Sequence, residues 1–295
     1  MKHKIFCCFP FFNELPLLKI KLEELYDTVD YFILVEANTT HSGLPKPLFY
    51  KENEKLFEKY SDKIIYQCEN NMLDIFNNPV ESPDNDEITN FLIKRVNAST
   101  WFPLNILSYF LDTYQKESVI RSLFKYAQDD DIVILGDLDE IPKASAIKEI
   151  VEDYDDDEIF HMEHSVFWYA LNMLKTDELW YGNILTSFRR FKEIGFCNMR
   201  INKKGNFVNN AGWHFTYQGS PDAIKNKIES WGEQSLNIPQ VKDNIIDNIN
   251  NCLTNERDLF FRPAKFQLIP ISYETHPSYL VDHQDEFESM IKRQQ

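Results

Sequence analysis

The stretch Asp131-Ile132-Val133-Ile134-Leu135-Gly136-Asp137-Leu138-Asp139-Glu140-Ile141-Pro142 restricts the fold of this chain more than any other. Four consecutive apolar residues between an acidic turn and a glycine predict a strand buried on both faces, the pattern of a parallel strand. Such a strand delivers Asp137, Asp139 and Glu140 to the carboxyl edge of the sheet, where open α/β sheets bind ligands. If Asp137-Leu138-Asp139 is locally extended, both carboxylates point one way and Leu138 points back into the core. Two carboxylates about 4 Å apart repel by about 4 kcal/mol at an effective dielectric near 20, so the pair shares a proton or holds a cation. A hard divalent cation bridging to a diphosphate meets that condition. Asp-x-Asp also arises by chance in acidic loops, and the residues alone leave both readings open. Glu140 is open in the same way: it can join a metal shell, hold a ligand hydroxyl or cap the next helix.

Upstream, residues 5–9 and 31–35 read as two further apolar strands. Between them, Asn13 can cap a helix that carries Leu15, Leu18, Leu22 and Leu25 on one face. Strand, helix, strand in this pattern is a βαβ unit with parallel strands. A helix over 51–60 and a third strand over 63–68 follow. Residues 69–102, punctuated by Asn77-Asn78-Pro79 and Ser82-Pro83-Asp84, read as a long surface excursion. A helix over 109–127 turns Ile120, Leu123, Phe124 and Ala127 inward. Arg121 beside that face is either a solvated residue or a phosphate clamp. Downstream, 158–172 is an aromatic strand or bent pair, and Arg189-Arg190-Phe191-Lys192 faces an anion or lies on a surface strand. His214, bounded by aromatic residues, is a core histidine or a ligand. Ser220-Pro221-Asp222 starts a helix with Ile224, Ile228 and Trp231 on its inner face.

At 295 residues the chain can bury a sizeable core, and no repeat or low-complexity linker divides it, so 1–295 is expected to be one domain. Its formal charge of −16 excludes a duplex nucleic acid or an anionic membrane as partner, since both demand a basic surface. The same charge means that an anionic substrate needs a metal or a few local Arg and Lys residues. The five cysteines show neither zinc spacing nor a disulfide framework. With no signal-peptide or membrane-span pattern, they predict a cytoplasmic chain.

Four stretches, in order, carry a resemblance: Phe11-Phe12-Asn13-Glu14-Leu15; Val35-Glu36-Ala37-Asn38-Thr39-Thr40-His41-Ser42-Gly43 with Pro45-Lys46-Pro47-Leu48; Asp137-Leu138-Asp139-Glu140-Ile141-Pro142; and Ala211-Gly212-Trp213-His214. Together they resemble glycosyltransferase family 17, the family of the β-1,4-mannosyl-glycoprotein N-acetylglucosaminyltransferases. Gly136 stands where vertebrate members of that family carry an acidic residue.

The resemblance implies a GT-A fold, a Rossmann-like, mostly parallel sheet flanked by helices. Residues 1–142 would form the nucleotide-sugar half and 143–295 the acceptor side. It implies Asp137 and Asp139 as ligands of Mn²⁺ or Mg²⁺ on the diphosphate of a nucleotide sugar, with His214 completing the metal site. Phe11, Asn13, Glu14, Glu36, Arg121 and Trp213 are its implied nucleotide-sugar contacts. The implied partners are UDP-GlcNAc as donor and a glycan hydroxyl as acceptor, and the implied reaction is inverting transfer.

An inverting transfer needs a carboxylate to accept the acceptor's proton. Glu163, Asp177, Glu178 and Glu233 are the candidates, and Glu233 is favoured by its place after His214. Two other classes remain. A haloacid-dehalogenase-like phosphohydrolase also ends an apolar strand in Asp-x-Asp, although there Thr or Val soon follows the second Asp. A sugar-binding module without catalysis would use the Trp and Tyr residues.

Overall fold

A computed structural model describes residues 3–100, 102–155 and 157–293. Its strands are β1 (Ile5–Phe11), β2 (Tyr31–Ala37), β3 (Ile64–Glu69), β4 (Ile132–Leu135), β5 (Glu140–Pro142), β6 (Ile159–Trp168), β7 (Met173–Lys175), β8 (Trp180–Ser187), β9 (Asn206–Thr216) and β10 (Phe266–Leu268). They form a sheet in the order β10-β7-β6-β8-β4-β1-β2-β3, with β9 beside β6 and β5 beside β9.

The sheet is mixed, which corrects the expectation of a mostly parallel one. β4, β1, β2 and β3 are parallel to one another, as the βαβ reading requires. β8 then runs antiparallel to both β4 and β6, and β7 and β10 continue antiparallel. Helices link the first four strands, whereas β6 turns back into its antiparallel neighbour β7 through the short loop 169–172, and β8 pairs with β6 running the same way as β7.

Alternation in β1, β2 and β4 feeds two cores. Cys7, Phe9, Phe32, Leu34, Ile132 and Ile134 pack with Leu18, Leu22 and Leu25 of the helix Leu15–Leu25. Phe6, Cys8, Ile33, Val35, Val133 and Leu135 pack on the opposite face against helices between β3 and β4. Both faces are covered, which is why these strands read as unbroken apolar runs.

Three local expectations are corrected. The helix after β1 begins at Leu15 with Glu14 as its cap residue and no capping side-chain bond, so Asn13 does not cap it; Pro16 in the first turn sets the start instead. The expected helix over 109–127 is two, Leu107–Glu117 and Ile120–Tyr126, parted at Ser118-Val119. Residues 69–102 are not a surface excursion, because they hold helices Met72–Asn77 and Glu87–Asn97. Asp86 caps the latter by accepting from the Thr89 amide at 2.8 Å, and Leu92, Ile93 and Val96 reach the core. Among the described residues, no helix is long and apolar enough to cross a membrane.

Full burial of Leu92 leads us to expect that Leu92→Ala lowers stability by about 2–5 kcal/mol in urea unfolding. Lys94→Ala, on the exposed face of the same helix, is expected to change it by less than about 0.5 kcal/mol. Equal, small effects of both would contradict the packing described for this helix.

Candidate active site

Beyond β4 the chain does not stay extended, as expected above, but turns: the Glu140 amide donates to the Asp137 carbonyl at 3.2 Å. Leu138 still faces the core, at 3% exposure, and both neighbouring carboxylates open onto one cavity of about 660 Å³. Gly136 makes the close approach possible, because a Cβ there would collide with the Asn183 side chain.

Buried cations hold the turn. Lys21, fully buried on the helix Leu15–Leu25, donates to the carbonyls of Asp137 and Glu140, both at 2.8 Å. Burial pulls its pKa below the ordinary lysine value, against the pull of nearby acidic groups. Glu140 is wholly buried. Its Oε2 accepts from the Asp137 amide at 2.8 Å, and its Oε1 accepts from Trp180 Nε1 at 2.6 Å and pairs with Arg200. It therefore neither caps the following helix, whose cap residue is Lys143, nor lines the cavity.

Arg200 Nη1 also reaches Asp137 Oδ2 at 3.0 Å, while Lys116 lies 3.5 Å from Asp137 Oδ1 and bonds both oxygens of Asp112 at 2.8 and 3.0 Å. Burial alone would raise the Asp137 carboxyl, but Lys116 and Arg200 outweigh it and bring it down to about 2. Asp139 Oδ2 accepts from Lys227 Nζ at 2.6 Å and stands 3.7 Å from His214 Nε2. Lys227 first and His214 second overcome burial there too and hold the Asp139 carboxyl well below the usual range.

His214 is brought to Asp139 by register: in β9 it pairs with Glu140 of β5. Its ring lies 5.0 Å from that of Trp180, and Nδ1 is buried with no hydrogen-bond partner. Strand alternation sends Trp213 the other way, into the core with Leu17, Ile20 and Leu280, where its Nε1 donates to the Thr275 carbonyl.

Of the residues singled out from sequence, Phe11, Glu14, Asp137, Asp139, His214 and Glu233 line this cavity. Asn13, Glu36, Arg121 and Trp213 do not. Glu36 is wholly buried and accepts from the Tyr50 amide at 3.0 Å and the Tyr66 hydroxyl at 3.0 Å, so its carboxylate is committed to the fold. Arg121 pairs with Glu69 at 3.2 Å, at the end of β3. Glu233 follows the helix Pro221–Ser230 rather than lying in it, and accepts from the Tyr109 hydroxyl at 2.7 Å. Among the other proposed bases, Glu178 lines the cavity and Glu163 and Asp177 do not. The Arg189-Arg190-Phe191-Lys192 patch is helical, not a strand, and its Arg190 and Lys192 pair locally with Glu193 and Asp129.

Sequence reasoning missed the cations. Lys21, Lys116, Arg200 and Lys227 share one signal: each is a basic residue at inward spacing on a short amphipathic helix, three or four positions from a buried apolar residue. A lysine or arginine inside an apolar stripe needs a buried partner, and here the partners are the acidic turn and its carbonyls.

A mixed α/β sheet thus presents, beyond the carboxyl ends of parallel strands, a cavity with acidic and basic groups side by side, at the place where open α/β sheets bind ligands. The chain belongs to glycosyltransferase family 17, whose model matches residues 1–101 and 104–235. It is 25% identical to the β-1,4-mannosyl-glycoprotein 4-β-N-acetylglucosaminyltransferase of Rattus norvegicus across 95% of this chain and 53% of the relative. It is 28% identical to the Homo sapiens protein of the same name across 74% of this chain and 41% of the relative. The chain spans about half the length of the curated relatives it matches. Family membership sets aside the phosphohydrolase alternative.

The depressed Asp137 pKa has a defined sign. The ionised carboxylate contributes stability that is fully present above the unfolded value of 3.8 and is lost as pH falls towards about 2. Urea midpoints between pH 6 and pH 3 are expected to fall less in Asp137→Asn than in the wild-type chain. An identical acid dependence in both would contradict the ion pairing described.

Proposed function

We propose that this chain is an inverting glycosyltransferase with a GT-A-type fold that moves N-acetylglucosamine from UDP-GlcNAc to a glycan hydroxyl, assisted by Mn²⁺ or Mg²⁺. The observation that carries the reading is the convergence of Asp139 and His214, 3.7 Å apart, on a cavity that also exposes Asp137, Lys116, Arg200 and Lys227. The names of the relatives support the choice of sugar, and the family supports the reaction class.

A divalent ion would draw on the carboxylates of Asp137 and Asp139 and the Nε2 of His214, but those carboxylates are ion-paired with Lys116, Arg200 and Lys227, and among the described residues no group of three or more His, Cys, Asp or Glu side chains is placed to hold a metal ion. The chemistry such an ion would supply is Lewis-acid neutralisation of the departing diphosphate. The chain's own cations add to that effect. Lys116, Arg200 and Lys227 place positive charge on the cavity wall of a protein whose net charge is −16, supplying the local cations that an anionic donor needs.

The ends of β1 and β2 contribute Phe11, Phe12, Thr39 and Thr40, and Lys46 lies over the Phe12 and Phe49 rings at 5.6 and 5.3 Å. This aromatic, cationic corner suits the uridine end of the donor. Glu233 is the base in this reading. The Tyr109 hydroxyl and the Ser235 hydroxyl both bond its carboxylate and orient it in the cavity, where it would accept the acceptor's proton as the new glycosidic bond forms.

UDP release from UDP-GlcNAc with glycan acceptors is the direct test. Asp139→Asn is expected to abolish metal-dependent binding of UDP-GlcNAc in calorimetry. Glu233→Gln is expected to lower kcat by about 10²- to 10⁴-fold while leaving the donor Kd unchanged. Unchanged turnover in the first variant refutes the site, and unchanged kcat in the second refutes the base.

A further inference from the structure

The cavity has an aromatic corner that the donor reading does not use. β9 runs parallel to β6, and β6 runs parallel to β4, because β8 lies antiparallel to both β4 and β6. The carboxyl ends of β6 and β9 therefore open on the same edge of the sheet as the acidic turn. They bring Trp168, the last residue of β6, and Tyr217, just past β9, to the cavity wall. The helix Pro221–Ser230 ends at Trp231, which lines the cavity as well. In the sheet, β4 and β8 stand between this corner and the ends of β1 and β2. A donor with its uridine at β1 and β2 and its diphosphate beside the acidic turn points its sugar towards β6 and β9.

Trp168 and Tyr217 are each 4% exposed, and their ring centres lie 4.7 Å apart. Trp231 is half-buried. Phe260 lies nearly parallel to it, with ring centres 5.8 Å apart and planes at 17°, and Tyr217 meets it edge-on at 5.9 Å. Phe260 does not line the cavity, so the indole face it covers is turned away and the other face is the one presented. The Nε1 groups of Trp168 and Trp231 are buried with no hydrogen-bond partner among the described residues, although a buried indole N–H ordinarily finds one. Sugar oxygens are acceptors of the kind they lack. Gly232 follows, packed so closely on Asp112 that a Cβ would stand 3.2 Å from that side chain, and the Tyr109 hydroxyl then holds Glu233 at 2.7 Å. Two residues separate the indole from the carboxylate, so their Cα atoms are at most about 7 Å apart. The cations at this corner, Lys227 and Arg262, are matched by Asp139 and Asp258, both at 2.6 Å, so a neutral ring suits the wall better than an acidic one.

We propose that Trp231 is the platform of the acceptor subsite: a neutral pyranose lays the C–H face of its ring on the indole, and the segment Trp231-Gly232-Glu233 thereby sets one of its hydroxyls against the base. The inference rests on the nucleotide-sugar reading above and adds to it the class of acceptor and the residue that selects it. The hydroxyl oxygen so placed bonds to the anomeric carbon as the bond from that carbon to the diphosphate breaks. Its proton passes to the Glu233 carboxylate, and UDP leaves with the electron pair. Platform and base share one short segment, so stacking and proton transfer are aligned by the same backbone.

The test is saturation-transfer NMR on the full chain at saturating UDP in Mg²⁺ buffer. The probes are the methyl β-pyranosides of glucose, galactose, mannose and N-acetylglucosamine, with methyl β-glucuronide as the acidic comparison. At least one neutral pyranoside is expected to receive saturation mainly at the C–H protons of one ring face, and more strongly than the glucuronide. Trp231→Leu, which keeps apolar bulk without a flat face, is expected to weaken that sugar's binding about tenfold. Trp231→Phe is expected to recover most of the loss, and calorimetry is expected to give the same UDP affinity in both variants as in wild type. Equal transfer in wild type and the leucine variant overturns the platform, and a parallel loss of UDP affinity in both variants overturns its assignment to the acceptor. No transfer to any neutral pyranoside from a chain that binds UDP overturns the subsite and leaves the donor reading standing. Failure of the wild-type chain to bind UDP overturns both.

Discussion

The buried charge lattice around residues 137–140 is what the rest of the site depends on. Asp137, Asp139 and Glu140 fall within one turn at the mouth of the sheet, and three carboxylates so placed repel one another unless cations are set among them. The protein draws those cations from four helices. Lys21 satisfies the turn's carbonyls from beneath, Arg200 joins Asp137 to Glu140, Lys116 closes Asp137 from the other side, and Lys227 covers Asp139. The lattice therefore ties the helices Leu15–Leu25, Leu107–Glu117, Phe196–Asn202 and Pro221–Ser230 to the end of β4. Asp137 and Asp139, held this way, stay ionised and oriented before any ligand arrives, the condition for electrostatic stabilisation without reorganisation.

Close backbone approach makes the lattice possible. Gly136 lets the chain pass Asn183, and Gly212 admits the buried His164 ring against β9, where a Cβ would meet it at 2.6 Å. Glu140 completes the arrangement by accepting from Trp180, the residue whose ring packs beside His214. One fully buried carboxylate thus sets the conformation of the acidic turn and the position of two cavity-lining rings, although it does not itself line the cavity.

Much of the first half of the fold was legible in sequence. Continuous apolar runs ending in polar residues marked β1, β2, β3 and β4, and Ser220 with Pro221 marked a helix start that the structure keeps, the Ser220 hydroxyl accepting from the Ala223 amide. The region between β3 and β4 was not legible, because Pro79, Ser82 and Pro83 dominate its pattern while the helix Glu87–Asn97 earns its place only by packing Leu92 and Val96 against the sheet. In the site, Asp137 and Asp139 could be singled out because local spacing after a strand fixes where they emerge. Glu36 and Arg121 could not be placed, since an acidic residue at a strand end reads alike whether it meets a ligand or, as here, the backbone amide of Tyr50.

By itself, then, the sequence determined a parallel core of four strands and an acidic turn at its carboxyl edge, because those depend on neighbours in the chain and on the two-residue period of a strand. Only the tertiary structure decided the mixed character of the sheet, the inward turn of Trp213 and the outward turn of His214, and which cations meet which carboxylates. Lys21 and Asp137 are far apart in sequence, as are Asp139 and Lys227, and no periodicity records such a pairing. It exists only once four helices have packed, since a buried charge takes whatever partner the fold brings within reach.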